Sequence, residues 1–414
     1  MKKHLINTSL INLFLIILFD NLAYSSTSLS FRQCIEQSYV HNSEILAAKA
    51  NIENSESKIL QTRASFLPTL KANLNYDHTT YSLYTTSLVA SQTLFSGMSD
   101  WNKYQLAKTQ TEATQLSFLN TLSKISFDLK KAYASLFYAQ NLIILLEDVV
   151  KRRNENLKLV ELRFSSGREN KGSLLLSKAY LAQSELELMQ AKNSLGYYRS
   201  DLNRVLGFNG SQEIFLKDDL STPKISETKI SFGAHQTLTF KLANKNFEAA
   251  NLELSESRST FFPTLAITGS QSKSSREFNK GNTERSIGVN LSIPLFSGGA
   301  DFYQIQSASA NVKNKYELKE NALREMNTQI DQAYSLALES QKRIEVNSLF
   351  VDASKIRSKI AKEQYNNGLI SFSDWDLVEN EFINYQKNLL LSKKEAAINF
   401  ANLENIKGEG VYHE

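Results

Sequence analysis

From Arg285 to Leu295 the chain alternates: Ile287, Val289, Leu291, Ile293 and Leu295 are interleaved with Ser286, Gly288, Asn290, Ser292 and Pro294. A period of two predicts a strand with one apolar and one polar face. Leu265 and Ile267 alternate with Thr264, Ala266 and Thr268 in the same way. So do Leu70, Ala72, Leu74 and Tyr76 with Lys71, Asn73, Asn75 and Asp77. Thr85 to Leu94 alternates more weakly. These runs predict two β-hairpins, about 68–95 and 263–296. Their strands are about ten residues long, enough for a tilted strand to cross a bilayer.

Elsewhere the period is helical. Leu323, Met326, Ile330, Ala333 and Ala337 recur at spacings of three and four, as in a coiled coil. Apart from the opening Gly97, Gly298 and Gly299, neither 97–164 nor 298–365 contains a Pro or a Gly, so each predicts one helix of roughly 100 Å. Gly167 and Gly368 follow, where a left-handed helix stop is expected. Return helices are expected over 174–206 and 372–406. Shorter helices near 44–66 and 240–262 are ended by Pro68 and Pro263, because proline cannot continue the hydrogen-bond ladder.

These elements occur twice. Ser65-Phe66-Leu67-Pro68-Thr69-Leu70 returns as Thr260-Phe261-Phe262-Pro263-Thr264-Leu265, and Leu94-Phe95-Ser96-Gly97 as Leu295-Phe296-Ser297-Gly298. Ala132-Tyr133 returns as Ala333-Tyr334. Repetition at long period organises the whole fold. We expect a first repeat over 26–206, a linker over 207–227, a second repeat over 228–408 and a tail over 409–414. Gly97, Gly298 and Gly299 mark the strand-to-helix junctions.

The first 25 residues combine a basic start (Lys2, Lys3), an apolar stretch from Leu10 to Phe19 and the small-x-small triplet Ala23-Tyr24-Ser25. This is the pattern of a secretory signal. No run of about 18 apolar residues is evident after it. Charges nearly balance, 47 basic against 43 acidic, which removes any compositional argument for nucleic acid. Cys34 is the single cysteine, so no intrachain disulfide or thiolate cluster is available. Four unpaired membrane strands are untenable in lipid, because each orphan amide costs several kcal/mol. Copies must therefore close the sheet together. Three copies give a twelve-stranded barrel, wide enough for a water-filled passage. Phe66, Phe95, Phe261, Phe262 and Phe296 at the junctions, with Tyr76, Tyr81 and Tyr84 at the far end, suit the two aromatic girdles of such a barrel. Packing beneath a soluble hairpin is the alternative reading of these rings.

Several segments resemble the TolC family of outer-membrane efflux proteins. They are Leu29 to Ile35, His41 to Ile45, Ser65 to Leu70, the Leu94-Phe95-Ser96-Gly97 and Pro294 to Gly299 turns, and Tyr365 to Ser371 followed by Asp374. The resemblance implies a mainly α fold with membrane β, in which two repeats of helix–hairpin–long helix–return helix trimerise. The product is a 12-stranded β-barrel on an α-helical periplasmic tunnel, in the outer membrane of a Gram-negative bacterium. It further implies a passive exit duct of a tripartite efflux pump or type I secretion system. Its tips would meet a periplasmic adaptor that serves an inner-membrane pump or ABC transporter. On that analogy Gly167, Arg168, Gly368, Leu369, Ile370 and Trp375 are adaptor-facing, and Tyr365, Asp374 and Asp376 are candidates for the periplasmic gate. The chain departs from the family's closing ion-pair network at Ile370 and Leu377, and the first tip, Arg168 to Gly172, is unusually charged.

Catalytic chemistry finds little support. The histidines are scattered, and no phosphate loop or Gly-x-Ser-x-Gly occurs. Ser55-Glu56-Ser57-Lys58 matches a Ser-x-x-Lys nucleophile only formally, inside a helix and without partner motifs. No enzyme activity or cofactor is expected. Tyr133 and Tyr334 are expected to pack between helices. Trp375 reads equally as an adaptor anchor or as local core. Ser371-x-x-Asp374 also reads as a helix-capping box. A periplasmic adaptor or another exported coiled-coil protein is the competing class, but neither needs a lipid-facing strand such as 287–295.

Overall fold

The structure is a computed structural model that describes residues 27–78, 82–208, 212–218, 220, 232–278 and 280–412. The expected signal (1–25), Tyr81 and most of the expected linker lie outside them. In chain order the elements are β1 (Thr27–Leu29), α1 (Phe31–His41), α2 (Ser43–Arg63), β2 (Thr69–His78) and β3 (Ser82–Ser96). Next come α3 (Ser99–Ser165), α4 (Lys171–Leu206), β4 (Ile214–Leu216), α5 (Leu238–Arg258) and β5 (Thr264–Ser275). The chain closes with β6 (Thr283–Ser292), α6 (Ala300–Asn366) and α7 (Phe372–Lys407). Helices α2 and α5 have 21 residues each, α3 and α6 have 67, and α4 and α7 have 36.

Four helices end in one motif. At Gly167, the glycine N–H reaches the Phe164 carbonyl while the Arg168 N–H reaches that of Arg163. The same pair of bonds recurs at Gly207, Gly368 and Gly408, each glycine having a φ of 69° to 80°. These are Schellman stops, which satisfy carbonyls that the helix leaves orphaned. The strand-to-helix turns use two left-handed residues in a row: Gly97 and Met98 before α3, Gly298 and Gly299 before α6. Met98 is the one described non-glycine residue with positive φ, and it is exposed.

The residues form two compact units, and these are not the two sequence halves. One holds the described residues of 27–42, 125–220 and 336–402; the other holds those of 43–124, 232–335 and 403–412. Each draws on both halves, because 67-residue helices outrun any single core. In the first unit, β1 pairs in parallel with β4. The Phe31 N–H donates to Asp218 Oδ2 at 2.8 Å, and the Tyr133 hydroxyl donates to the Asp218 carbonyl. Tyr133 is buried and meets the Phe31 ring edge-on at 5.0 Å, a packing role. Cys34 is fully buried here. Burial, with the Asp218 charge adding to it, pushes its thiol up to about 12. Helix α3 is long and apolar enough, by length and composition alone, to cross a membrane. Much of its apolar face is packed: Leu129, Ala132, Leu136, Ala139, Leu146 and Val149 are buried.

The second unit carries a four-stranded antiparallel sheet in the order β2-β3-β5-β6. Paired residues across an antiparallel ladder share a face. The register therefore collects Leu70, Ala72, Leu74 and Tyr76 with Leu88, Ala90, Ile267, Ile287, Val289 and Leu291 on one side. Strand β6 stops at Ser292, short of the expected Leu295. Ser292 pairs with Thr264, and the residue before Thr264 is Pro263, which has no N–H to extend the ladder. The weak alternation of β3 has a physical source too: it pairs on both sides and its register shifts between Thr93 and Phe95. Phe66, Phe95, Phe261, Phe262 and Phe296 are all exposed in the protomer, so none is core within this chain. The expected coiled-coil positions Met326, Ile330, Ala333 and Ala337 are buried.

Candidate functional site

The ends of α3 and α6 come together with the starts of α4 and α7 within the first unit. Val160, Ala361, Tyr365, Phe372 and Trp375 form a buried cluster there, flanked by Leu174 and Ile370. Tyr365 stacks on Trp375 at 4.6 Å and nearly parallel, a favourable offset geometry for two large rings. The Arg163 guanidinium also lies over the Tyr365 ring, 4.6 Å from its centre. Arg163 Nη1 donates to the Tyr365 carbonyl at 2.6 Å and to that of Asn366 at 3.2 Å. The end of α3 thereby caps the last carbonyls of α6, where a cation also suits the helix dipole.

The Tyr365 hydroxyl donates to Glu169 Oε2 at 2.8 Å. Burial, then this bond and the Glu169 charge, hold the Tyr365 phenol well above the usual range. Glu169 falls below the usual carboxylate range: burial raises it, but bonds from Tyr365, Asn170 and Ser173, with the Arg163 charge, outweigh that. Glu169 and Arg163 were not singled out from sequence. The equivalent positions in the other half are Ile370 and Gln364, so the repeat offered no signal.

Nearly three turns back along α3 from Arg163, two adjacent arginines reach α7. Arg153 Nη1 is 2.7 Å from Asp376 Oδ1, and Arg153 Nη2 donates to Asn380. The Tyr180 ring lies 4.9 Å from the Arg153 guanidinium carbon. Burial, and next the Asp376 charge, raise the Tyr180 phenol. Arg152 donates to Glu379 Oε1 and Gln386 Oε1, both at 2.9 Å. The Ser358 hydroxyl of α6 donates to the other oxygen of Glu379 at 2.6 Å. Side chains of Arg153, Asp376 and Glu379 are each no more than 7% exposed, so the network is desolvated.

The expected tip residues divide accordingly. Gly167, Arg168, Gly368 and Leu369 are exposed, and Ile370 is half-buried. Trp375 is core: it sits one turn into α7 on the side of Phe372, facing Tyr365. Tyr365 and Asp376, the other gate candidates, are buried against partners in their own chain. Asp374 stays exposed and caps α7: its Oδ2 accepts from the Ser371 hydroxyl, and its N–H donates to Ser371 Oγ. The junction residues Pro68, Gly97, Pro263, Gly298 and Gly299 fall between the helices and the sheet. A Cβ on Gly97 would lie 2.6 Å from that of Phe262, a close approach that only glycine permits.

Long α-hairpins with glycine-stopped tips, in a chain whose sheet exposes an apolar face, define a helical protein suited to a membrane. The family described as outer membrane efflux protein matches residues 34–207 and 236–409, and the chain belongs to it. It is a channel protein of the Gram-negative outer membrane, of the TolC type, concerned with transport. It is 20% identical over 382 residues to the proteases secretion protein PrtF of Dickeya chrysanthemi, covering 84% of this chain and 81% of PrtF. It is 19% identical over 398 residues to the cation efflux system protein CusC of Escherichia coli K12, covering 91% and 86%. Among solved structures, CusC superposes with a TM-score of 0.83 at 17% identity, covering 95% of this chain and 96% of that one. VceC of Vibrio cholerae superposes at 0.80 with 20% identity, covering 92% and 96%.

Proposed function

We propose that three copies close their sheets into one twelve-stranded barrel above a helical tunnel, forming a passive duct energised by an inner-membrane pump or ABC transporter. The observation that carries this is the open sheet itself. Strands β2 and β6 are its edges, and the face between them exposes Leu70, Leu74, Leu88, Ile287, Val289 and Leu291. In lipid such edges must pair, and copies of the same chain supply the matching partners. The exposed junction phenylalanines suit the periplasmic girdle of the barrel. Relatives named for protease secretion and for cation efflux support both export routes, type I secretion and tripartite efflux.

In this reading Gly167, Arg168, Gly368, Leu369 and Ile370 present the tips to a periplasmic adaptor, while Tyr365, Trp375 and Asp376 hold the tip hairpins in shape behind them. Gly368→Val places a β-branched residue at a φ of 75°, which costs about 1–3 kcal/mol locally. The surrounding space is open apart from the end of Arg163, so the strain is confined to the turn. Outer-membrane fractions should still contain heat-modifiable trimers of this variant, but export should be lost. Monomeric protein in the soluble fraction, for wild type as well, would overturn the barrel.

Asp374 supplies one exposed carboxylate per chain, and the equivalent position in the first half is Ser173. Three carboxylates near the tunnel axis favour cations. Asp374→Asn should lower cation selectivity in single-channel recordings. Its melting temperature should change little, because Asn also caps helices. Unchanged selectivity would leave Asp374 as a cap and nothing more.

A further inference from the structure

The register of the sheet places two cations on its apolar face and no acid. On that face, Leu74, Thr86, Lys273 and Thr283 form one cross-strand row. The next row towards the helices is Ala72, Leu88, Gln271 and Arg285, and then comes Leu70, Ala90, Gly269 and Ile287. The described strand carboxylates nearby, Asp77 and Glu284, fall on the opposite face, and Glu277 in the β5–β6 turn is paired with Lys280. Arg285 is exposed, and its Nε donates to Gln271 Oε1 at 3.2 Å. That bond engages Nε and is the hydrogen bond that ties the guanidinium to the neighbouring strand.

Height along the strands gives the position meaning. Lys273 lies eight residues beyond Leu265 on β5, about 27 Å along the strand and about 20 Å along an axis tilted by 40°. An outer-membrane apolar band is about 25 Å tall. Lys273 therefore stands towards the outer rim, in the row just below the Tyr76–Tyr84 pair (4.8 Å), and Arg285, which pairs with Gln271, stands one row lower at about 16 Å, within reach of the rim for a long side chain. Long basic side chains lay their stems on apolar surface and lift their charge to the headgroups. Arg, with its planar fork, is the residue suited to phosphate.

The structure assigns Lys273 and Arg285 to a binding site for anionic, phosphorylated lipid headgroups of the outer leaflet, one per protomer. The assignment rests on the barrel reading above. Native mass spectrometry of the detergent-solubilised trimer tests it, with phosphatidylglycerol and phosphatidylcholine of identical acyl chains as probes. Wild type should retain phosphatidylglycerol about tenfold better, the gain expected from roughly one charge-assisted contact. The double variant Lys273→Gln/Arg285→Gln should bring the two lipids level. Lys71→Gln, which removes a cation from the opposite face, should leave the preference intact. The site is disproved if wild type shows no preference, if the double variant keeps it, or if Lys71→Gln abolishes it equally. Absence of trimers would instead refute the barrel, and this site with it.

Discussion

Arg153→Met should destabilise the protein by about 3–5 kcal/mol, because it leaves the Asp376 carboxylate buried without its cation. Asn380 still donates to Asp376 Oδ2 at 2.8 Å, but a neutral amide does not balance a desolvated charge. Asp376→Leu alone should be comparably harmful, since it strands Arg153. The double variant Arg153→Met/Asp376→Leu should lose much less than the sum, because both charges leave together and similar volumes remain. Denaturant unfolding of the four proteins completes the cycle. If the double variant is as unstable as the two single losses added, the pair is not coupled and the buried network is wrongly described. Arg152 and Glu379 lie beside this pair, so their variants should couple to it rather than add.

Val289→Arg should cost up to about 2–4 kcal/mol in lipid, the cost falling from the bilayer midplane towards the interface, whereas Asn290→Arg should be tolerated. Val289 pairs with Ile267 on the apolar face, and Asn290 pairs with Ala266 on the other. One residue of displacement therefore reverses the solvent that the new charge meets. Both variants keep the same backbone and add the same side chain, so folding in the helices is not the variable. The comparison is read as the fraction of heat-modifiable trimer recovered from the outer membrane, and as unfolding from lipid vesicles. Equal recovery of the two would sink the idea that this face meets acyl chains.

Much of the architecture was legible because its signals are local. Alternation at 285–292 and 264–268, the glycine-stopped helix ends and the proline stops all act within a few residues. The strand-to-helix junctions were legible for the same reason, although their second left-handed residue in the first half, Met98, carried no sequence signal. The tip was less readable. Asp374 could be named as a cap from Ser371, three residues away, and that bond is present. Trp375, Tyr365 and Asp376 were named as tip or gate residues, but nothing local says which way a helical side chain turns.

The sequence by itself determined the periods, the punctuation and the twofold recurrence, hence the type and order of the elements. Each of these is a property of neighbours along the chain, where backbone geometry and side-chain spacing decide the outcome. Only the tertiary structure decided which charges are desolvated and with whom. Arg153 meets Asp376 across 223 residues, Tyr365 meets Glu169 across 196, and Thr85 faces Ser274 across 189. A charged residue on a helix reads identically in sequence whether it faces water or a partner. The difference arises when two helix faces or two hairpins meet, and the same holds for Lys273 and Arg285: their shared face follows from strand pairing between β5 and β6, together with its register.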